Sequence, residues 1–210
     1  SSDPVLRMVV PVLLCILIGY LFGSLSFAVW IAKAKGVNIL KEGSGNPGAT
    51  NVKRVLGKKA GNTVFFLDFL KGCAAVGIGL WIAGDPGGIA GAVGAVLGHS
   101  ASIFIGFRGG KGVAVTMGAL LVLMPLVLLT GLAVWALTFN LSRYVSLASI
   151  LFAVSLPISA LVLNWVGWPV SLPLIVFAAV IAVLIVVRHR SNLVRLINGE
   201  EHKFSKKSQS

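Results

Sequence analysis

The sequence predicts an all-α, polytopic membrane protein with about seven transmembrane helices. Its 210 residues are 57% hydrophobic and only 11% charged, and the mean hydropathy is +0.95. A soluble domain of this size usually carries about 25% charged residues. Because so few polar groups cannot cover a globular surface, lipid must solvate much of the chain. The long apolar runs are therefore expected to cross the bilayer as helices.

The positions of the positive charges indicate a membrane, rather than a nucleic acid, as the partner. The net charge is +12, and of the 18 Lys and Arg residues seven lie in 33–59 and six in 188–207. Cations clustered just outside apolar runs follow the positive-inside rule and favour anionic headgroups. No aromatic-interleaved basic stripe accompanies them. We therefore expect the lipid bilayer as a partner, no nucleic acid, and no obligate protein partner.

Apolar runs predict three membrane spans in the first half of the chain. They cover 5–32, 62–83 and 89–104. Glycine pairs at four-residue spacing in the first and third runs predict close helix packing. The single early cation, Arg7, lies at the opposite end of the first run from Lys33. That asymmetry places the amino terminus outside and segment 33–60 in the cytoplasm.

The next apolar run, 113–141, is predicted to be broken at Met124–Pro125 into two short spans. As one span, it would place the basic carboxyl-terminal segment outside the cell. As two spans, followed by spans at 145–164 and 169–187, it leaves 16 of the 18 cations in the cytoplasm. Pieces shorter than the roughly 20 residues of a full crossing survive where they pack on protein. The expected topology is seven segments in one domain, 1–210, with the amino terminus outside and the carboxyl terminus inside.

The polar segment 43–54 is predicted to form a turn-rich loop that holds an oxyanion. It contains three glycines, a proline, and hydroxyl and amide side chains, followed by two cations. Glycines let backbone N–H groups approach a ligand closely, and neutral donors beside fixed positive charge favour phosphate. An ordinary polar connection between spans is the alternative. The candidate binding residues are Gly43, Ser44, Gly45, Asn46, Thr50, Asn51 and Arg54.

A second polar segment, 98–112, combines glycines with two cations next to the start of a predicted helix. The Gly-Gly-Lys-Gly turn puts an ammonium among exposed backbone donors, and the helix amino terminus also favours an anion. The segment lacks the spacing and the Ser or Thr of a Walker A loop, so nucleotide hydrolysis is not indicated. A lysine that snorkels to the interface is the alternative for Lys111. The candidates are His99, Arg108, Gly109, Gly110, Lys111 and Gly112.

A third polar segment, 188–201, is predicted to begin as a short amphipathic helix on the membrane surface. Its apolar residues share one face, whereas Arg188, Asn192 and Arg195 share another at three- and four-residue spacing. A basic anchor for headgroups is the alternative, and it explains the arginines better than the neighbouring His, Asn and Glu. The candidates are Arg188, His189, Asn192, Arg195, Gly199, Glu200 and Glu201.

Asp68 and Lys71 are ionisable residues inside the second predicted span, where charges are costly and become functional candidates. A pair three residues apart can also neutralise itself, and this structural interpretation is slightly favoured. The three histidines lack metal-ligand spacing, so we expect no metal and no cofactor. No G-x-S-x-G elbow occurs either. The pattern favours a reaction whose substrates supply most of the chemistry.

Together, the three polar segments resemble a known family, the bacterial membrane-integral glycerol-3-phosphate acyltransferases that use acyl phosphate as donor (the PlsY family). The first matching stretch is Gly-Ser-Gly-Asn-Pro-Gly-Ala-Thr-Asn at 43–51. The second is Gly-His at 98–99 with Phe-Arg-Gly-Gly-Lys-Gly-Val-Ala at 107–114. The third is Arg-His-Arg-x-Asn-x-x-Arg-Leu at 188–196 with Gly-Glu-Glu-His at 199–202. The resemblance covers essentially the whole chain.

This resemblance implies transfer of a fatty acyl group from acyl phosphate to the 1-hydroxyl of glycerol 3-phosphate, giving lysophosphatidic acid and phosphate. The implied catalytic residues are Ser44, Lys111, His189 and Asn192. The other candidates in the three segments would bind substrate, and Glu201 or its neighbour Glu200 would close the site. Two departures from the common family pattern follow His99, at 100–102 and at Arg108, which keeps its positive charge.

The same resemblance implies a substrate-assisted mechanism in the bacterial plasma membrane, with the active site on the cytoplasmic face. The phosphate of the acyl phosphate would help to accept the hydroxyl proton, and His99 or His189 as general base is the alternative. An anion channel or transporter with phosphate-binding loops is the alternative function. It predicts polar groups at mid-depth in several spans, and only Asp68 and Lys71 offer that.

Overall fold

The computed structural model describes residues 4–204, and helices account for nearly all of its regular structure. The α-helices are α1 Pro4–Ser24, α2 Phe27–Ala34, α3 Ala49–Ser100, α4 Val113–Leu123, α5 Pro125–Ser142, α6 Val145–Trp165, α7 Leu172–Arg188 and α8 Arg190–Ile197. Within these described residues, the only β pairing is an isolated bridge between Ser102 and Arg108. The all-α prediction is confirmed. Lys206 and Lys207 of the predicted basic tail lie outside the described residues.

Four helical stretches are long and apolar enough to cross a membrane, with α1 and α2 counted together as Val5–Ala34, and the bent pair α7–α8 gives a fifth if it is one span. The shorter α4 is apolar as well. The predicted total of seven crossings and the orientation of the termini stay predictions. The described chain divides into two compact units at Leu123 and Met124, and each is described by itself. One domain over 1–210 likewise stays a prediction.

In the first unit, α3 is interrupted twice. Gly57 has a φ of 86° and Gly84 a φ of 60°, and Ala83 also leaves helical geometry. The second break separates the predicted spans 62–83 and 89–104, and it is short, because the helix has already resumed at Pro86. Proline suits the first turn of a helix, where its missing N–H costs nothing.

Glycine contacts hold the helices of the first unit close together. A side chain at Gly19 would collide with the backbone of Gly91, and one at Gly98 would collide with the Tyr20 carbonyl, so α1 packs directly on the last part of α3. A side chain at Gly118 of α4 would collide with the Phe69 carbonyl of α3. The predicted close packing through small residues is confirmed.

The first predicted span, 5–32, agrees with a candidate span at Val5–Ala34, within which Leu25 and Ser26 interrupt the helix between α1 and α2. The boundary predicted for the third span is wrong. The third span ends at Ser100 rather than at 104, and a short 3₁₀ turn, Ile103–Ile105, follows. Each interruption holds only a Ser-x-Ser triplet, at 24–26 and at 100–102, within a largely apolar and uncharged run, so hydropathy alone does not mark it.

In the second unit, α5 begins at Pro125 immediately after the predicted break, which is confirmed as a helix boundary. Proline pre-organises the first helical turn and cannot continue the preceding helix. Phe152 of α6 is fully buried, and its ring fills the place of a side chain at Gly131 of α5. The chain then bends by 58° between α7 and α8, at His189.

Candidate active site

The first candidate loop is held by the side chain of Asn51. Its Oδ1 accepts a hydrogen bond from the Ser44 N–H at 2.9 Å. Its Nδ2 donates to the carbonyls of Glu42 (2.9 Å) and Ile39 (3.4 Å). Asn51 is 1% exposed, so these bonds are shielded from water. A single amide therefore fixes both ends of the turn.

The backbone of this loop also depends on its glycines. Gly43 and Gly45 have φ values of 58° and 67°, in the left-handed region that glycine adopts without strain. A side chain at Gly43 would collide with Oδ1 of Asn51. Beneath the loop, buried Ile39 and Val52 belong to a small apolar core with α2, which anchors the turn.

The loop leaves its ligand-binding groups accessible. The side chains of Ser44 and Arg54 are exposed, and those of Asn46 and Thr50 are half-buried. Gly48 caps α3 with no side-chain hydrogen bond to the helix end. A helix amino terminus with uncapped N–H groups favours an anion. The arrangement suits a phosphate held by backbone donors, a hydroxyl and a guanidinium.

The second candidate loop wraps around His99. The Gly110 N–H donates to the His99 carbonyl at 2.9 Å, and the Ser102 N–H donates to the Arg108 carbonyl at 2.9 Å. A side chain at Gly109 would collide with the His99 carbonyl, and one at Gly110 would collide with the His99 ring at Nε2. Both glycines are therefore required by close approach to the histidine.

The cations of this loop stay accessible, although Gly109, Gly110 and Gly112 are buried. Arg108 is exposed and Lys111 is half-buried. Gly112 follows with a φ of 83°, a conformation that favours glycine, and α4 starts at Val113. Lys111 thus stands two residues before the amino terminus of α4, where the helix dipole also favours an anion.

Behind the second loop, three buried ionisable side chains form one cluster. Asp68, Lys71 and His99 are 3%, 4% and 8% exposed. Lys71 Nζ lies 2.7 Å from Asp68 Oδ1 and 3.1 Å from His99 Nδ1, and it donates to the Leu25 carbonyl at 2.8 Å. The predicted self-neutralising pair is present, and it is joined to a residue of the second motif and to the break between α1 and α2.

In the second unit, the third motif forms a clamp on the chain that follows α8. Asn192 Nδ2 donates to Glu201 Oε1 at 2.7 Å, and Arg195 Nε lies 2.7 Å from Glu201 Oε2. The Glu200 N–H donates to the Arg195 carbonyl at 2.8 Å, next to Gly199 with its φ of 72°. Of the two predicted closing residues, Glu201 is the one that closes the clamp, and Glu200 is exposed.

Burial and hydrogen bonding act in opposite directions on Glu201. Burial raises the pKa of this carboxyl, but Asn192, the Ser146 hydroxyl and Arg195 together lower it more, so the net pKa lies below the ordinary value for Glu. The carboxylate is therefore the stable form at neutral pH. Farther on, the Phe204 N–H donates to the Arg143 carbonyl at 2.9 Å, which extends the docking of this terminal segment within the unit.

His189 and Arg188 lie at the bend before this clamp. His189 is buried, and its Nδ1 lies 2.8 Å from the Ile185 carbonyl. Since a carbonyl only accepts, Nδ1 carries a proton and Nε2 is the accepting nitrogen of the neutral ring. Asn192 and Arg195 share one side, as predicted, because both reach Glu201. Arg188 ends α7 instead, so the bend takes it out of that common helical face.

The structure thus organises the candidates within each unit. The first two motifs form loops at α3 and α4 in the first unit, and the third motif forms the clamp in the second. The sequence did not identify the carbonyl of Leu25 as a partner of Lys71, since nothing in an apolar run distinguishes one backbone oxygen. Among residues 4–204, no group of three or more His, Cys, Asp or Glu could hold a metal ion.

Comparison with known proteins defines the class of this molecule. A family model described as glycerol-3-phosphate acyltransferase matches residues 13–199. The glycerol-3-phosphate acyltransferase of Aquifex aeolicus (strain VF5) is 45% identical, over 91% of this chain and 98% of its own length. That of Halalkalibacterium halodurans is 43% identical, over 91% and 94%. These relatives make the chain an acyltransferase enzyme rather than a channel.

The fold agrees with a solved structure of the same kind. The chain superimposes with a TM-score of 0.84 and 44% identity on the crystal structure of PlsY (YgiH), an integral membrane glycerol 3-phosphate acyltransferase, in its glycerol 3-phosphate form. The match covers 92% of this chain and 96% of that one. The lysophosphatidic acid form gives a TM-score of 0.82. The chain belongs to the glycerol-3-phosphate acyltransferase family and is an integral membrane enzyme of the PlsY type.

Proposed function

We propose that this enzyme transfers a fatty acyl group from acyl phosphate to the 1-hydroxyl of glycerol 3-phosphate, releasing lysophosphatidic acid and phosphate. The observation that carries the donor assignment is the pairing of Arg54 and Lys111 with glycine-rich turns at helix amino termini. Such sites suit phosphate oxyanions. An acyl phosphate presents its reactive carbonyl directly beside a group of that kind.

The proposed chemistry needs little from the protein beyond positioning and charge neutralisation. The hydroxyl oxygen attacks the acyl carbon and forms the new ester bond, while the bond between that carbon and the phosphate oxygen breaks. The hydroxyl proton passes to the departing phosphate. Phosphate is a good leaving group, so cations that stabilise its charge and hold the two substrates together supply the main catalytic effect.

The state of the two histidines bears on which group accepts the hydroxyl proton. In each ring, Nδ1 is already bound within the chain: in His99 to Lys71, and in His189 to the Ile185 carbonyl. His189 keeps its ring position fixed by this bond and is better suited to contacting a substrate oxygen than His99, whose ring lies against Gly110. We therefore assign the proton to the donor phosphate rather than to His99, and His189 through its Nε2 is the alternative acceptor.

The remaining roles follow from exposure and contacts. Ser44, Lys111, His189 and Asn192 are proposed as the catalytic residues. Arg54, Asn46, Thr50, Arg108 and Arg188 are proposed to bind substrate oxyanions, with the backbone at Gly43, Gly109 and Gly112. The N–H groups of Gly45, Gly110 and Gly199 donate to the carbonyls of Glu42, His99 and Leu196, so these three glycines are proposed to shape the substrate-binding segments. Asn51 holds the first loop, because its amide is used within the chain. Arg195 and Glu201 hold the terminal segment, with Glu200 at its surface.

The proposed setting is the bacterial inner membrane, with seven crossings and the substrate-binding loops on the cytoplasmic side. The charge distribution supports this topology, because the segments 33–60, 106–112 and 188–203 are all rich in Lys and Arg. A reporter fused just after Pro125 is expected to read as external. A cytoplasmic reading there would overturn the division of 113–141 into two crossings.

The deciding assay uses purified enzyme in detergent or liposomes with no other protein. Palmitoyl phosphate and glycerol 3-phosphate are expected to give lysophosphatidic acid and phosphate in equal amounts. Palmitoyl-CoA or palmitoylated acyl carrier protein in place of palmitoyl phosphate is expected to give no lysophosphatidic acid. Turnover with either thioester, without turnover of the acyl phosphate, would contradict the donor assignment. Glycerol in place of glycerol 3-phosphate is the matched control and should not react, because it lacks the oxyanion.

A further inference from the structure

Lys71 is the centre of the buried cluster in the first unit. An ammonium has three N–H bonds and no acceptor. Three acceptors surround Nζ: Asp68 Oδ1 at 2.7 Å, the Leu25 carbonyl at 2.8 Å and His99 Nδ1 at 3.1 Å. The ammonium is thus matched donor for acceptor, at a depth where an unmatched charge is expensive.

This arrangement determines the tautomer of His99. Because the ammonium donates, Nδ1 of His99 must accept, and the proton of the neutral ring is then on Nε2. The ring has its opposite edge against the second loop, where Nε2 occupies the space next to Gly110. The backbone carbonyl of the same histidine accepts from the Gly110 N–H at 2.9 Å.

We propose that Asp68, Lys71 and His99 form a positioning network that holds the Gly109–Gly110 turn, and with it Lys111, in the orientation needed for phosphate binding. Asp68 orients the Lys71 ammonium, Lys71 fixes the His99 ring as the Nε2–H tautomer, and His99 supports the turn from beneath. The network acts through Lys111 and does not touch substrate. This inference rests on the proposed function, which places Lys111 at the transferred group.

A cluster that only neutralises charge would behave differently. Removing both charges at once would then be tolerated, since an apolar pair of similar size often replaces a buried ion pair without loss of stability. A positioning network instead loses activity in that variant although the fold survives. Misplacing a substrate-orienting group by about 1 Å can cost about 100-fold in rate.

The tautomer is tested directly by ¹⁵N solid-state NMR of histidine-labelled enzyme in lipid bilayers. The chain has three histidines, so His189→Gln and His202→Gln variants assign the signals. His99 is expected as the Nε2–H tautomer, opposite to His189, at pH 6 to 8. A His99 signal of the Nδ1–H tautomer or of imidazolium would overturn the proposal. This reading is independent of turnover, so it separates the network from the proposed function.

The functional test compares Asp68→Asn/Lys71→Met with Lys59→Met, which removes an exposed lysine from the same helix. We expect kcat/KM for glycerol 3-phosphate to fall about 100-fold in the double variant, with thermal unfolding unchanged, and to stay at the wild-type value in Lys59→Met. Wild-type kcat/KM in the double variant would overturn the proposal. If wild-type enzyme fails to use acyl phosphate, the proposed function fails while the NMR result still decides the tautomer.

A conservative pair of His99 variants sharpens the result. Glutamine can place an amide N–H close to the Nε2 position, whereas asparagine reaches only the Nδ1 position. His99→Gln is expected to retain at least tenfold more kcat/KM than His99→Asn, because it keeps the donor that faces the second loop (about tenfold per lost hydrogen bond). Equal losses in the two variants would remove the Nε2–H group from the account.

Discussion

The first loop, at 43–51, and the terminal segment, at 198–204, are each held by the side chain of an asparagine. They differ in whether a charged side chain takes part in holding the segment. Asn51 holds its loop through neutral amide bonds and leaves the cation Arg54 exposed. Asn192 and Arg195 both bind the carboxylate of Glu201, so the cation Arg195 is engaged in an ion pair within the clamp. The comparison teaches that a neutral amide anchor leaves the neighbouring motif cation exposed, whereas a carboxylate anchor engages the cation beside it.

The largest expected effect is loss of the two cations that are proposed to bind the transferred phosphate. Lys111→Ala and Arg54→Ala should each lower kcat by about 100- to 1,000-fold, because each removes charge stabilisation of the departing phosphate. Folding should be intact, since Arg54 is exposed and Lys111 is half-buried. Steady-state phosphate release measures the effect, and Lys59→Ala is the matched control. Wild-type turnover in either variant would remove that residue from the site.

The next largest effect is expected on replacing Asn51, whose amide holds the first loop. Asn51→Leu leaves the Ser44 N–H and the Glu42 carbonyl without their partner, and a buried polar group left unpaired costs about 1 to 3 kcal/mol. We expect the free energy of unfolding to fall. We also expect kcat/KM to fall, because the 43–51 loop loses the hydrogen bonds that fix its conformation. Thermal unfolding and turnover are measured together. Loss of activity at unchanged stability would instead assign Asn51 a direct substrate contact.

The sequence predicted some of these structural features and not others. Glycines, cations and helix-breaking Pro125 were readable, because each has a local physical consequence. Asn51 was identified as a member of a binding motif, but its orientation towards Glu42 and Ile39 depends on how the turn folds. The partnership of Lys71 with His99 joins residues 28 positions apart and was not predictable from spacing. The charge count predicted the break at Met124, whereas the break at Leu25 has no charge to mark it.

A smaller effect is expected in the terminal clamp. Glu201→Gln keeps an oxygen for Asn192 but removes the ion pair with Arg195, whose side chain is 33% exposed. Solvent screening limits the loss to about 1 kcal/mol or less. We expect turnover to fall only a few-fold, as the cost of a looser terminal segment. A loss as large as that of Lys111→Ala would give Glu201 a part in the chemistry.

The smallest expected effect is a pH-dependent loss of hydrogen-exchange protection in the terminal segment but not in the first loop. Burial alone would raise the pKa of Glu201 in the folded state, but Asn192, Ser146 and Arg195 together outweigh it, so the net pKa is lowered. Its stabilising contribution is therefore complete above the ordinary Glu pKa of about 4.3 and is lost as the pH falls through the lower folded value. Hydrogen exchange of the Glu200 N–H, corrected for intrinsic rate, should stay slow from pH 8 to 5 and quicken only below that.

The Ser44 N–H provides the internal control for this titration, because its acceptor, Asn51, does not ionise. Its protection should not change over the same range. Glu201→Gln should abolish the pH dependence of the Glu200 N–H and leave Ser44 unaffected. Parallel loss of protection at both sites would mean that the two segments open by global unfolding instead.

The central claim is acyl transfer from an acyl phosphate, and an isotope measurement tests it most directly. Acyl phosphate with ¹⁸O at the bridging position between carbon and phosphorus is incubated with enzyme and glycerol 3-phosphate. The ¹⁸O content of lysophosphatidic acid and of phosphate is then measured by mass spectrometry. Attack at the acyl carbon predicts one labelled phosphate for each unlabelled lysophosphatidic acid. Unlabelled phosphate, or no lysophosphatidic acid from this donor, would contradict the account.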